Sequence, residues 1–229
     1  MSCAPTFWRG AGDAMKMKVL GLTGSVAMGK TEAAKAFADL GHPVFNADTE
    51  VRQLLTDDRR VIRTVRKEIP DVVTDGVVDR AKLSEIVFAH PRLLKALEAI
   101  LHPHVRAAEG LFIRAARKNG ALIAVMEIPL LFETHADEVC DAVAVVTAPA
   151  SVQRRRALDR PGMTVAKLRA MLKRQMSDRD KRKLADFVID TGQGKHHMLA
   201  QVREIADILC ERTPPKDSPG TDARGRSRH

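Results

Sequence analysis

The chain contains no tyrosine and one tryptophan, and aromatic residues make up only 3% of its 229 positions. Proteins that bind single-stranded nucleic acid stack bases on aromatic faces, so a platform of that kind is excluded. Cysteine is scarce: Cys3, Cys140 and Cys210 are odd in number and far apart. That pattern supports neither a disulfide framework nor a zinc site, and it fits a reducing cytoplasm. No apolar run approaches the roughly 20 residues that a membrane helix needs. The leader, residues 1–16, carries Gly10, Gly12 and Asp13 and lacks the apolar core of a signal peptide. Met15 and Met17 are alternative starts, so the leader is expected to carry no structure. Residues 213–229 hold three prolines, two glycines and many charges, and read as a disordered tail. No internal repeat is present.

What the chain does have is positive charge. The net charge is +9 and the pI about 9.8. Between Arg154 and Lys183 stand twelve Lys or Arg against three acids, a local excess equal to the charge of the whole chain. Such a segment either meets an anion or is a solvated helix face without a ligand. Hydrophobic residues, at 45%, suffice for one α/β domain carrying an insertion.

The organising stretch is Gly24-Ser25-Val26-Ala27-Met28-Gly29-Lys30-Thr31. It has the spacing G-x-x-x-x-G-K-[ST] of a phosphate-binding loop. Lys18 to Thr23 reads as an apolar strand before it. Glu32 to Leu40 reads as a helix after it, stopped by Gly41. The glycines let backbone N–H groups turn inward around a phosphate. The helix N-terminus adds partial positive charge. Lys30 would reach the β- and γ-phosphates, and the Thr31 hydroxyl would take a place on Mg²⁺.

His42 to Asn46 reads as a second strand, with Asp48 as N-cap of a helix from about Thr49 to Leu55. Asp57–Ile69 reads as a helix, Pro70–Val78 as a turn-rich link around Asp75-Gly76, and 79–89 and 91–118 as two helices split at His90-Pro91. About 65 residues of helix between two strands exceed a simple crossover, so 49–118 is read as an inserted, substrate-side subdomain. Ala121–Met126 and Ala142–Thr147 are continuous apolar runs, as expected of strands buried on both faces. A helix is expected over Ser151–Asp159. A long one, capped by Thr164, should run to about Leu184. Phe187–Asp190 reads as a fifth strand and His196–Leu209 as a last helix. The result is a doubly wound, five-stranded parallel sheet: core 17–48, 119–150 and 185–210, with a basic helical lid over 151–184.

Four further motifs stand in order. They are Phe45-Asn46-Ala47-Asp48 with Arg52; Leu97-Glu98-Ala99-Ile100-Leu101-His102-Pro103-His104-Val105-Arg106; Ile128-Pro129-Leu130-Leu131-Phe132-Glu133; and Ala185-Asp186-Phe187-Val188-Ile189-Asp190. Gln153-Arg154-Arg155-Arg156-Ala157-Leu158-Asp159-Arg160 is like a lid entry. With these the chain, from Met17 to Leu209, resembles the dephospho-coenzyme A kinases among P-loop proteins. The resemblance implies that ATP, with Mg²⁺, phosphorylates the ribose 3′-hydroxyl of dephospho-CoA in the cytoplasm. The implied partners are those two small molecules, with no nucleic acid, no membrane and at most weak self-association, a monomer or weak homo-oligomer.

The roles implied are these. Gly24, Ala27, Met28, Gly29, Lys30, Thr31 and Glu32 hold ATP, with Arg156 and Arg160 closing over the phosphates. Asp48, Arg52, His102, Arg106 and Glu127 meet the acceptor. Catalysis falls to Lys30, Arg160 and Asp48, and Thr31 holds the metal. Asp48 either accepts the hydroxyl proton or anchors Mg²⁺ through water. Plainer alternatives stand beside them: Asp48 a simple N-cap, Arg160 a helix-end charge, His102 a surface helix residue, Glu133 a helix-start acid. The sequence also departs from the family pattern. Ala27-Met28 replace a usual Gly-Ser, which is tolerable with ordinary φ angles. Asn46 and Glu127 stand where Asp is common, and Pro161 replaces Asp. Two other classes fit less well. A GTPase switch would need an Asn-Lys-x-Asp motif after strand four, and a nucleic-acid-dependent ATPase would end strand three in Asp-Glu.

Overall fold

The computed structural model describes residues 16–211. Apart from Lys16, the leader and tail expectations lie outside the described residues. Met17 is already in the core, 4% exposed.

The chain opens with β1 (Lys18–Thr23), α1 (Lys30–Asp39) and β2 (Val44–Asn46). Four helices follow: α2 (Ala47–Asp57), α3 (Arg59–Glu68), α4 (Arg80–Ala89) and α5 (Pro91–Lys118), with a hairpin, β3 (Val73–Thr74) and β4 (Val77–Val78), between α3 and α4. Then come β5 (Ile123–Glu127) and β6 (Ala142–Thr147). An arm of three helices, α6 (Ala150–Leu158), α7 (Val165–Arg174) and α8 (Asp178–Leu184), leads to β7 (Phe187–Asp190) and α9 (Lys195–Glu211).

Five strands form one parallel sheet in the order β2-β5-β1-β6-β7. Successive strand side chains point to opposite faces. Leu20, Leu22, Ile123, Val125, Ala144 and Val146 therefore join α1 and α9 in one core. Val19, Ala124, Met126, Val143 and Val145 join α2 to α5 in the other. β1 lies at the centre, paired through Leu20 to Val125 on one side and to Ala142 on the other. Its C-terminal end is where ligands bind in open sheets of this kind.

Two expectations need correction, for α2 and for the long helix after Thr164, and the link after α3 gains detail. Helix α2 starts at Ala47, and its N-cap is Asn46, whose Oδ1 accepts from Thr49 N–H at 2.7 Å. Asp48 lies in the first turn instead. The link after α3 holds a short 3₁₀ turn (Pro70–Val72) and the hairpin, turned by Asp75 and Gly76 with φ of 51° and 79°. Two-residue strands are too short to leave a pattern in the sequence. The long helix after Thr164 is two helices, broken at 175–177. Gln175 and Ser177 are extended there, and Ser177 Oγ caps α8 by accepting from Asp180 N–H at 3.1 Å. The break has a tertiary cause: Gln175 Oε1 and Met176 N–H are both engaged by other parts of the fold.

Gly24 closes β1 with φ of 151°, and a Cβ there would sit 2.4 Å from the Val146 carbonyl oxygen. Gly24→Ala is therefore expected to cost about 2 kcal/mol or more. A melting temperature lower by roughly 4–8 °C follows for a domain of this size. An unchanged thermal melt would contradict the close approach.

Candidate functional site

The phosphate loop runs from Gly24 at the end of β1 to Thr31 in α1. Gly29 is the N-cap of α1 with φ of 95°, and no side chain accepts from the first helical N–H groups. Those donors are left for an anion, with the helix dipole behind them. Lys30 folds back across the loop and donates from Nζ to Gly24 O at 3.0 Å. Burial holds its pKa below the ordinary lysine value. Lys181 and Arg160 add to that lowering, and the carboxylates of Glu127 and Asp48 oppose it. Charged groups from β5, α2, α8 and the end of α6 thus converge on one ammonium.

Glu127 ends β5 and is 5% exposed. Thr31 Oγ1 donates to its Oε1 at 3.2 Å, and Asn46 Nδ2 donates to its Oε2. Asp48, on the exposed first turn of α2, acts electrostatically on Lys30. The set Thr31, Glu127 and Asp48 offers hard oxygen donors beside a phosphate loop, which suits Mg²⁺.

The other acceptor-side candidates lie further out. Arg52 is exposed on α2. His102 and Arg106 are exposed on one face of α5, where Arg106 donates to Thr134 O at 2.7 Å and pairs with the buried Glu109 at 3.3 Å. Burial raises the Glu109 pKa against the opposing charges of Arg106 and His102. Arg106 is thereby fastened to the turn after β5.

On the nucleotide side, Arg156 donates to Thr191 Oγ1 and to Thr191 O, both at 2.8 Å. Thr191 Oγ1 in turn meets the Met28 carbonyl at 2.7 Å. A cavity of about 260 Å³ lies here, lined by Gly29, Glu32, Arg156, Arg160, Thr191 and Gly194 among others. A larger hollow, about 670 Å³, sits near His42, Phe112 and Leu122 and offers no cationic group for a phosphate.

The model of the dephospho-CoA kinase family matches residues 18–196. A dephospho-CoA kinase of Mesorhizobium japonicum is 51% identical, over 84% of this chain and 97% of that protein. The chain belongs to the dephospho-CoA kinase family. The crystal structure of TT1252 from Thermus thermophilus superposes with a TM-score of 0.73 at 29% identity, over 86% of this chain and 99% of that one. The dephospho-CoA kinase from Campylobacter jejuni has the same fold, with a TM-score of 0.58 at 22% identity over 84% and 97%.

Two departures of this dephospho-CoA kinase family member now have a structural account. Ala27 does not have an ordinary φ: at 61° it is left-handed, which costs a non-glycine residue roughly 1–2 kcal/mol. Its methyl is buried, 5% exposed, against Val26, Ala157 and Leu168. Met28 is not among the residues with positive φ. Asn46 does what a carboxylate cannot. Its amide donates to Glu127 while its oxygen caps α2, whereas Asp would set two carboxylates against each other.

Sequence reasoning passed over Thr191, Gln153, Gln175 and Lys181. Thr191 had a signal, since it directly follows the fifth strand at the ligand-binding edge. Lys181 had none within its run of cations. It is 0% exposed, the one fully buried lysine among the described residues. Its Nζ lies 3.0 Å from Glu133 Oε1 and donates to Pro129 O at 3.1 Å. Glu133 is not a helix-start acid. It sits in the turns after β5 and also accepts from Met176 N–H at 2.7 Å.

Breaking a buried pair strands a charge at about 3–5 kcal/mol. Lys181→Met is expected to lower the melting temperature by roughly 10 °C. Lys181→Met combined with Glu133→Gln should melt higher than Lys181→Met alone, because the amide is neutral and still accepts from Met176. Thermal melts of the parent, Lys181→Met, Glu133→Gln and the double variant check this, and additive losses would count against the pairing.

Proposed function

We propose that this chain transfers the γ-phosphoryl group of ATP to the ribose 3′-hydroxyl of dephospho-CoA, giving CoA and ADP, the last step of coenzyme A synthesis. Family membership supports the reaction. The observation that carries the site is the meeting of Lys30, Thr31, Glu127 and Asp48 beside uncapped N–H groups at the C-terminal end of β1.

Phosphoryl transfer asks for alignment and charge neutralisation. In this reading the loop N–H groups and Lys30 hold the β- and γ-phosphates. Arg156 and Arg160 reach over the phosphates from the arm, which excludes water, a competing acceptor. The nucleoside lies in the cavity beside Thr191. Thr31 Oγ1 donates its hydrogen bond to Glu127, which leaves its lone pairs free, so Thr31 with Glu127 would hold Mg²⁺. When bound, Mg²⁺ would supply charge neutralisation for the transferred phosphoryl group. The acceptor enters over α2 and α5, the inserted helical subdomain, past Arg52, His102 and Arg106. Its 3′-oxygen attacks the γ-phosphorus in line as the bond to the β–γ bridging oxygen breaks. Asp48 takes the hydroxyl proton. The partners are ATP and dephospho-CoA, without nucleic acid or membrane, in the cytoplasm. No described helix is long and apolar enough to cross a membrane.

ADP release should be Mg²⁺-dependent and far faster with dephospho-CoA than with AMP, adenosine or CoA. Equal stimulation by AMP would assign another acceptor, and stimulation by nucleic acid alone would overturn the kinase reading.

Lys30→Ala should lose at least about 10²-fold in turnover, since one preorganised donor contributes roughly 3–4 kcal/mol in comparable sites. For Asp48→Asn the fold removes one ambiguity, because Asn46 and not Asp48 caps α2. Only a first-turn charge is lost, worth about 0.3–1 kcal/mol. The melting temperature should stay near the parent's while turnover falls about 10²-fold, the scale of a general base. A folded Asp48→Asn protein with most of its turnover would remove Asp48 from the chemistry. Partial rescue by raised Mg²⁺ would make it a metal anchor.

A further inference from the structure

Val26 has both of its peptide groups taken by side chains of the arm. Its N–H donates to Gln175 Oε1 at 3.1 Å, and its carbonyl accepts from Gln153 Nε2 at 2.9 Å. Gln153 is buried on α6, 8% exposed, and Gln175 stands half-buried at the break between α7 and α8. One loop residue is thus gripped from the two ends of the α6–α7 unit. The next residue, Ala27, is the left-handed one. Val26 and Ala27 also pack with Ala157 and Leu168 in an apolar cluster separate from both sheet cores. Its partly buried fringe, Met163, Met171 and Leu172, comes wholly from the arm.

A non-glycine residue stays left-handed only where its surroundings over-determine it. At Ala27 those surroundings are the arm. A buried amide that loses its partner is costly, so the two glutamine bonds resist separation of arm and loop. The helices α2 to α5 contribute nothing to this cluster.

We propose that Gln153 and Gln175 are positioning residues for phosphoryl transfer. By holding Val26 from both sides they keep Ala27 left-handed and the loop N–H groups aimed at the phosphates. Arm and phosphate loop then move as one body, and the arm is not an independently hinged cover. The inference rests on the loop being the ATP site. It places the effect of both glutamines on ATP and not on the acceptor.

Gln153→Met and Gln175→Met keep side-chain length and remove the amide. Steady-state kinetics of the full chain would give KM for ATP, KM for dephospho-CoA and kcat, beside a thermal melt. Each variant is expected to raise KM for ATP about tenfold, equivalent to 1.4 kcal/mol. KM for dephospho-CoA should change less than about twofold. In an Ala27→Gly background, where glycine adopts the left-handed conformation freely, the same substitutions should raise KM for ATP by about threefold or less. An unchanged KM for ATP in folded variants would overturn the proposal. So would equal rises in both KM values, or the same rise in both backgrounds. If Gln153→Met fails to fold, Gln175→Met, at the half-buried position, carries the test. Lys30→Ala separates the two levels. If it too leaves KM for ATP and turnover unchanged, the loop is not the ATP site and both readings fall. If it acts and the glutamine variants do not, the positioning role alone is refuted.

Discussion

Backbone donors at the start of α1 have no side chain to accept from them, and the C-terminal edge of the sheet is arranged around that deficit. A helix start can be left uncapped next to a buried loop only if water or an anion supplies the acceptor. Gly24 lets the loop pass against the Val146 carbonyl, and Gly29 turns it into the helix with Thr191 directly behind. Because β1 is the central strand, with neighbours on both sides, the loop springs from the most constrained part of the fold.

Charge follows from the same deficit. Burial is what chiefly depresses the Lys30 ammonium; Glu127 and Asp48 oppose it, and the smaller effects of Lys181 and Arg160 add to it. An ammonium penalised by burial is favoured by a polyanion placed beside it. Asn46 shows the limit on the acidic side: beside Glu127, an amide relieves a repulsion that a second carboxylate would add. Lys181 is satisfied separately, by Glu133 and the Pro129 carbonyl, and this ties α8 to the turn after β5. Thr23 Oγ1 donates to the same Pro129 carbonyl at 3.1 Å, so the exits of β1 and β5 and the arm share one acceptor.

The three hydrophobic clusters divide the molecule in a way that bears on motion. Two lie on the faces of the sheet, and the third joins the phosphate loop to α6 and α7. The acceptor-side helices pack on one face of the sheet and the arm packs on the loop. The two groups meet at the break of the arm, where Met176 packs on the core of the acceptor-side helices and Arg174 lies 3.6 Å from Glu98 of α5.

By itself the sequence determined the parallel sheet, its strand sequence along the chain, the glycine-rich loop and the long insertion. Each rests on a local constraint: buried strands are continuously apolar, and a phosphate loop needs small residues at fixed spacing. Family motifs extended this to the acceptor. The tertiary structure alone decided that Asn46 and not Asp48 caps α2: the helix begins at Ala47, directly after Asn46 pairs beside Glu127 at the end of β2. It alone broke the arm helix at Gln175, where bonds to Val26 and from Met176 replace helical ones. It alone turned Lys181 inward from a run of six charged residues, 178–183, and set Ala27 left-handed. The Asn46 cap is a local bond to Thr49, fixed in place by the distant Glu127; the others depend on residues far apart in the chain, and no local pattern of hydrophobicity, charge or turn propensity carries those.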